Sequence, residues 1–405
     1  MSKESRNPMD RLKVILSGVV ISAIGAMVYN LLPMFLGTAQ DYRDLSDQAV
    51  GILSSVFYVG FTLTTTTAFF WIRALSWRKI TLIALPAAAV TLVLAAYATG
   101  FTGMAISIFL SGCAFSALYG IGTTLLGDTS QPARWYGLKI ASEAGLGAIL
   151  LLLLPGTVIA HWGFEGMLVA MAVAVLLLAV LLYGLPASGV KGEEDSAAGQ
   201  AIVLTPRLRL ALWLALASVM IFLFSTTMIW AFVERMANDA GFDAVATGNV
   251  LSLTLVFAVG GSLLAMWMGE RFGSGKPFAA ACAALLLSLF LLKGVSTLTD
   301  YAIAACLFTF SFGLGIPYVV TIVAELDLDG RYVVLSVPAI GVGVMAAPAI
   351  GGMLTGTSGY LAILWAGGIA VVLAAVISLL ALKLGMPLVR KSKSATEGEA
   401  PDPMV

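Results

Sequence analysis

Apolar residues run along this chain in twelve long, nearly unbroken stretches separated by short polar clusters. The first six cover Val14–Leu36, Gly51–Ile72, Ile80–Thr99, Met104–Leu126, Leu138–Ala160 and Gly166–Leu185. The second six cover Leu210–Val233, Ala246–Met268, Pro277–Leu292, Tyr301–Ala324, Tyr332–Leu354 and Leu361–Leu384. A helix needs about 20 apolar residues to cross roughly 30 Å of hydrocarbon, whereas barrel strands are about ten residues of alternating polarity. Lipid offers no partner for the backbone, so each stretch has to bond within itself. The pattern predicts an all-α membrane protein of twelve transmembrane helices.

The longest polar interval, Pro186 to Arg207, is rich in Gly, Ala, Ser and charge and reads as a flexible linker. It divides the chain into an N-terminal six-helix half (1–185), a linker (186–207) and a C-terminal six-helix half (208–385). A polar tail (386–405) follows and is expected to be disordered.

Threading twelve crossings with both termini on one side puts all but Arg43, Arg235 and Lys293 of the 22 Lys and Arg on that side. Basic residues stay in the cytoplasm, so both termini and the linker are expected there, in a bacterial inner membrane. Adding or dropping one crossing would invert every later loop and erase the asymmetry.

Composition sharpens this. The chain is 60% hydrophobic and 11% charged, against about half and a quarter in soluble proteins, so lipid must cover most of its outer surface. Its formal charge of +0 lacks the basic excess that marks nucleic-acid binders. Cys113, Cys282 and Cys306 sit inside apolar stretches and read as small core residues, and the sole histidine, His161, excludes a His-based metal site. With no HExxH motif and no Walker loop, neither enzyme activity nor any cofactor or metal is expected.

Two halves of six helices also share a faint repeat. At one common offset, Lys79, Asp128 and Arg134 recur as Lys276, Glu325 and Arg331, all in equivalent loops. Parallel repeats related by an axis along the membrane normal are one known transporter plan.

At these loops the chain resembles the major facilitator superfamily. That family carries G-x-x-x-D-R-x-G-R-R/K after its second and eighth helices. Here the later copy reads GERFGSGK, with Glu270, Arg271, Gly273 and Lys276, while the earlier copy, WIRALSWRK, keeps Arg73, Arg78 and Lys79 and lacks the acid and the glycine. The segments GDTSQPAR and AELDLDGR are similar to the family's loops after helices four and ten.

The resemblance implies two pseudo-symmetric bundles and a monomeric secondary transporter that moves a small organic solute across the bilayer by alternating access. It also implies a cytoplasmic gate of Arg73, Lys79, Asp128, Arg134, Glu270, Arg271, Glu325 and Arg331; solvated loop charge is the plainer reading. The fifth helix lacks the G-x-x-x-G-P-x-x-G-G run of drug exporters, and the fourth lacks an arginine, which favours uptake over efflux of hydrophobic compounds.

By the same resemblance, helices one, four, seven and ten line a central cavity. This makes Tyr29, Asn30, Tyr119, Trp230 and Tyr318 substrate-contact candidates, with Tyr58 from the polar stripe of the second helix. Packing or interfacial anchoring would explain the same side chains.

Embedded charge is sparse. Glu143, four residues after Lys139, is either a proton carrier or a latch paired with that lysine. Glu234, beside Arg235, is a second candidate: it could take a proton from outside, bind a cationic group, pair with Arg43 across an outer gate, or simply face water. Proton coupling is preferred over sodium by elimination.

Overall fold

The computed structural model describes residues 7–189, 205–269, 271–328 and 332–398. Its regular structure is helical throughout the described residues: α1 (Leu12–Asn30), α2 (Leu32–Arg43), α3 (Asp47–Trp71), α4 (Trp77–Ala96), α5 (Phe101–Gly127), α6 (Pro132–Leu154) and α7 (Ala160–Ala179) in the first half. In the second half come α8 (Pro206–Asp239), α9 (Ala244–Met268), α10 (Gly275–Lys293), α11 (Leu298–Leu326), α12 (Ser336–Ser358) and α13 (Tyr360–Gly398). Helix starts are capped where the sequence supplies a polar side chain. Ser46 accepts from Ala49 N–H, Thr205 from Leu208 N–H, Asp243 from Val245 and Ala246 N–H, and Thr297 forms a capping box with Asp300.

One break accounts for thirteen helices making twelve crossings. The first crossing is broken at Leu31, where Pro33 follows directly, so α1 and α2 together make one span. The fifth and sixth crossings form one apolar segment, Arg134–Gly184, which contains a π-helical turn at Pro155–Ile159. Gly163 reverses it with φ 54° and ψ −143°, a backbone that favours glycine, and an added side chain there would overlap the Tyr42 ring.

Large apolar residues such as Leu82, Ile83, Met266 and Phe290 are exposed around the bundle, where lipid belongs. The last helix departs from expectation. The stretch from residue 386, read as a disordered tail, continues α13 as far as Gly398, with Val389 still buried. Its Lys and Ala residues favour helix. At the linker, Ala187 C=O accepts from Trp77 N–H (2.8 Å) and Leu185 C=O from the Arg78 side chain (2.7 Å); residues 190–204 lie outside the described residues.

Each half is built the same way inside. Gly60 of α3 abuts the Phe109 carbonyl of α5, and Gly112 of α5 abuts the Phe57 carbonyl of α3. In the second half Gly261 of α9 and Gly313 of α11 repeat this crossing against the Phe310 and Ala258 carbonyls, all four residues displaced along the chain by one shared number of positions. Small residues let membrane helices approach at backbone distance.

The halves meet along two seams, α3 with α12 and α6 with α9, and under a lid where α2 meets α8. From the Asp47 end of α3 the first seam runs through Gly352 against the Asp47 carbonyl, Gly51 against the Pro348 carbonyl, and Ala349 N–H donating to Ser55 Oγ (3.0 Å). It ends at Thr62 against Gly341. Beyond it Leu63, Thr66, Thr67 and Phe70 are exposed. The halves are thus closed on the side away from both termini, here called the far side, and parted on the side that carries the termini.

Replacing Gly51 with Leu overpacks only the closed far side, at a typical cost of about 1–3 kcal/mol. Double electron–electron resonance between spin labels at Gln48 and Ser358 should then show a substantially larger population at long distance; an unchanged distribution would contradict the seam.

Candidate translocation site between the halves

The break in the first crossing creates the first element of the site. Tyr29 C=O would ordinarily accept from the N–H four residues on, but that residue is Pro33, which has none. The indole Nε1–H of Trp230, on α8 of the other half, donates to this carbonyl at 3.1 Å. The bond roofs the space between the halves, and both rings are at least partly buried there.

Beside the roof, Asn30 Nδ2 donates to the Glu143 carbonyl of α6 (2.9 Å), over Gly147, whose missing side chain makes room for the Asn30 Cβ. Lys139 and Glu143 form an ion pair at 2.8 Å one helical turn apart, with side chains 6% and 13% exposed. Ser22 Oγ of α1 donates to Glu143 Oε1 at 2.5 Å, and Lys139 Nζ donates to the Tyr119 hydroxyl at 3.0 Å while lying 4.1 Å from that ring's centroid. Gly25 lets α5 come this close, since a Cβ there would stand 2.6 Å from the Tyr119 backbone. Tyr29 meets Tyr58 edge-on at 6.5 Å, and Phe61 packs against Tyr119 at 5.8 Å. Five of the substrate candidates, Tyr29, Asn30, Tyr58, Tyr119 and Trp230, therefore converge with Glu143 at the inner end of the parted side.

Tyr318 is placed elsewhere: its hydroxyl donates to the Ala265 and Gly269 carbonyls (3.3 and 3.0 Å) and pins the end of α9. Glu234 is also distant, buried at the far-side lid. The pairing considered for it with Arg43 is not formed. Arg43 binds Glu165 (3.0 Å) and the Ala96 and Ala98 carbonyls, all within its own half.

The cation that crosses the lid is Arg235, which donates to Gln40 Oε1, to Asp41 and to the Gly37 carbonyl (2.9 Å). Gln40 in turn donates to Asp47 Oδ1 (2.5 Å), which also accepts from the Tyr360 hydroxyl (3.2 Å). Sequence reasoning missed Gln40, Asp41, Asp47 and Tyr360. The available signal was Arg235 itself, one of three basic residues on the unfavoured side.

On the termini side the loop charges work within each half. Arg73 pairs with Asp128 in two bonds (2.5 and 2.6 Å), and that bonding holds its guanidinium above the ordinary value. At the equivalent place in the second half, Ser274 donates to Glu325 Oε2 (2.6 Å). Arg134 and Arg271 lie over Trp135 and Trp267, Lys79 is exposed, and Glu270 and Arg331 lie outside the described residues.

The Major Facilitator Superfamily family model matches residues 15–328. The chain belongs to this superfamily. Solved structures similar to it include a D-xylose–proton symporter (TM-score 0.72, 12% identity, 90% of this chain and 96% of that one). The nucleoside transporter NupG, in a point-mutant form, also matches (0.70, 13%, 92% and 100%). So does a bacterial homologue of the human lysosomal transporter Spinster in an inward-facing, unoccupied conformation (0.69, 14%, 96% and 99%). No curated protein sequence matches the chain. Membership in the superfamily makes it a multi-pass membrane transporter, and the two-bundle plan that the family resemblance implied is consistent with the helical architecture observed.

Removing one partner of a buried ion pair typically costs about 3–5 kcal/mol, because the other charge is stranded. Lys139→Gln should accordingly lower the melting temperature more than the double variant Lys139→Gln/Glu143→Gln. A melting-temperature cycle in detergent in which the two losses simply add would mean the pair is not coupled.

Proposed function

We propose that the protein is a monomeric secondary transporter of a bacterial inner membrane, with both termini cytoplasmic. It takes up a small organic solute together with a proton by alternating access. With the termini inside, the far side is the outer gate and the parted side faces the cytoplasm, so the arrangement described above is an inward-facing state. The observation that carries the reading is the convergence of Tyr29, Asn30, Tyr58, Tyr119 and Trp230, from both halves, at the point where the two seams end. Aromatic faces with a few hydroxyl and amide groups suit a solute that has an apolar body and hydrogen-bonding substituents.

Glu143 is the proposed proton carrier. It is the partly exposed acid of this cluster; Ser22 and Lys139 bind it and Lys139 in turn binds Tyr119, so that three crossings are linked at the proposed solute site. A proton on Glu143 would release Lys139 and Ser22, and so link proton and solute through shared partners. Arg73–Asp128 and Ser274–Glu325 would brace each half on the cytoplasmic side, leaving the closing contacts there to form when the halves rock.

In proteoliposomes, Glu143→Gln should lose accumulation driven by an imposed pH gradient while keeping counterflow exchange within a few-fold of wild type. Wild-type accumulation in that variant would remove Glu143 as the carrier. The solute itself is to be found by a counterflow screen across sugars, nucleosides, organic acids, amino acids and drugs. For whichever compound exchanges, Tyr119→Phe and Asn30→Ala should raise the half-saturation concentration about tenfold. Tyr318→Phe should stay within about twofold, and the reverse pattern would move the site towards α11.

A further inference from the structure

Behind the Arg235 lid lies a cavity of about 80 Å³ whose walls include Thr38, Asp41, Tyr42, Ile159, Glu234 and Gly248. A single water needs about 10–15 Å³ on this measure, so the space admits an ion with some of its water. We propose that this chamber binds one monovalent metal cation, held by the Glu234 and Asp41 carboxylates with the Thr38 and Tyr42 hydroxyls.

Glu234 is 7% exposed, and its Oε2 has no hydrogen-bond partner. Its Oε1 accepts only a 3.2 Å bond from Asn238. The carboxylate is seated over Gly37, where any Cβ would overlap it. The nearest cation, Arg235, stands 3.8 Å from Oε2, but its bonds go to Gln40, Asp41 and the Gly37 carbonyl.

Charge decides the valence. Asp41 and Glu234 face one guanidinium, which leaves one negative charge enclosed, and burying an unpaired charge is costly. The other elements around Glu234 do not supply the missing charge. Arg43, at the end of α2, is turned to Glu165; the α9 N-terminus is capped by its own Asp243; and Tyr301 of α11 donates to the Val233 carbonyl. Carboxylate and hydroxyl oxygens suit a hard cation, and the described residues hold no group of three or more His, Cys, Asp and Glu that would favour a divalent ion.

Asp41 provides the way in, since its side chain is 48% exposed on the far side while that of Glu234 is 10% exposed. Because Asp41 and Thr38 belong to one half and Glu234 to the other, the full ligand set exists only when the far side is closed. A ligand that binds one state stabilises that state. External cation should hold the outer gate shut, a role separate from the proton assigned to Glu143.

The test uses the purified full chain in detergent, with choline chloride exchanged for LiCl, NaCl or KCl at constant ionic strength. At least one metal cation should raise the melting temperature saturably and shift the Gln48–Ser358 spin-label distribution to short distance. Both effects should weaken at least tenfold in concentration dependence in Glu234→Gln, and less severely in Thr38→Val, which keeps the carboxylates should the first variant fold poorly. Equal melting in all four salts would overturn the site, as would a cation effect that survives both substitutions. Stabilisation by acid alone in choline would overturn it too, because a proton would then occupy the place given to the metal. Solute counterflow, measured separately, reports on transport whatever the outcome here.

Discussion

Hydrocarbon gives a polar group no partner, and that constraint governs both how this chain folds and where it can act. A carbonyl or carboxylate left unmatched inside a span has to be answered by another helix. Pro33 orphans the Tyr29 carbonyl, and the indole that answers it belongs to the other half. Ser22 and Asn30 of the first crossing and Lys139 of the fifth all answer Glu143 in the same way. What looks like decoration on an oily scaffold is therefore the set of bonds that joins the crossings, and the proposed transport cycle draws on those bonds because they are the ones that can be exchanged.

The two halves share a backbone plan but not a chemistry. Each crosses its second and fourth helices through paired glycines, and each ties the end of its fourth helix to the loop after its second. The ion pair, the phenols and the amide at the junction come from the first half, while the second supplies Trp230 and, beside Gly147, Leu255. Under the proposed function, a duplicated fold with unequal halves lets one bundle carry recognition and the other act mainly as its counterpart in motion.

Much of this was legible in the sequence. Twelve apolar stretches and the skew of basic residues gave the crossings, because span length and charge placement are imposed by the bilayer and leave direct marks on composition. Tyr29, Asn30, Tyr119 and Trp230 could be named because the family resemblance implies that their helices line a cavity, and the structure brings them close together. Tyr318 could not be told apart from them, since a hydroxyl bonded to a neighbouring backbone and one facing a cleft have the same spacing. The lid around Asp41, Gln40 and Asp47 was hidden because those residues lie at helix ends, where polar side chains are ordinary. Arg235 was visible as an exception, but the partner across the gap follows from tertiary packing alone. The far end of α13 was misjudged because a charged segment next to a long helix can extend it as readily as unravel from it.

The reciprocal glycines within each half carry one more implication. Main chains that touch main chains leave little compressible matter between α3 and α5 or between α9 and α11, so each bundle should deform poorly and tilt as a solid piece. Compliance is then concentrated in the thin joints where the bundles abut, and a modest slip near one membrane face is levered into a wide swing at the opposite face. Substitutions that soften those glycine crossings would be felt as lost transmission of movement, even with every solute contact intact.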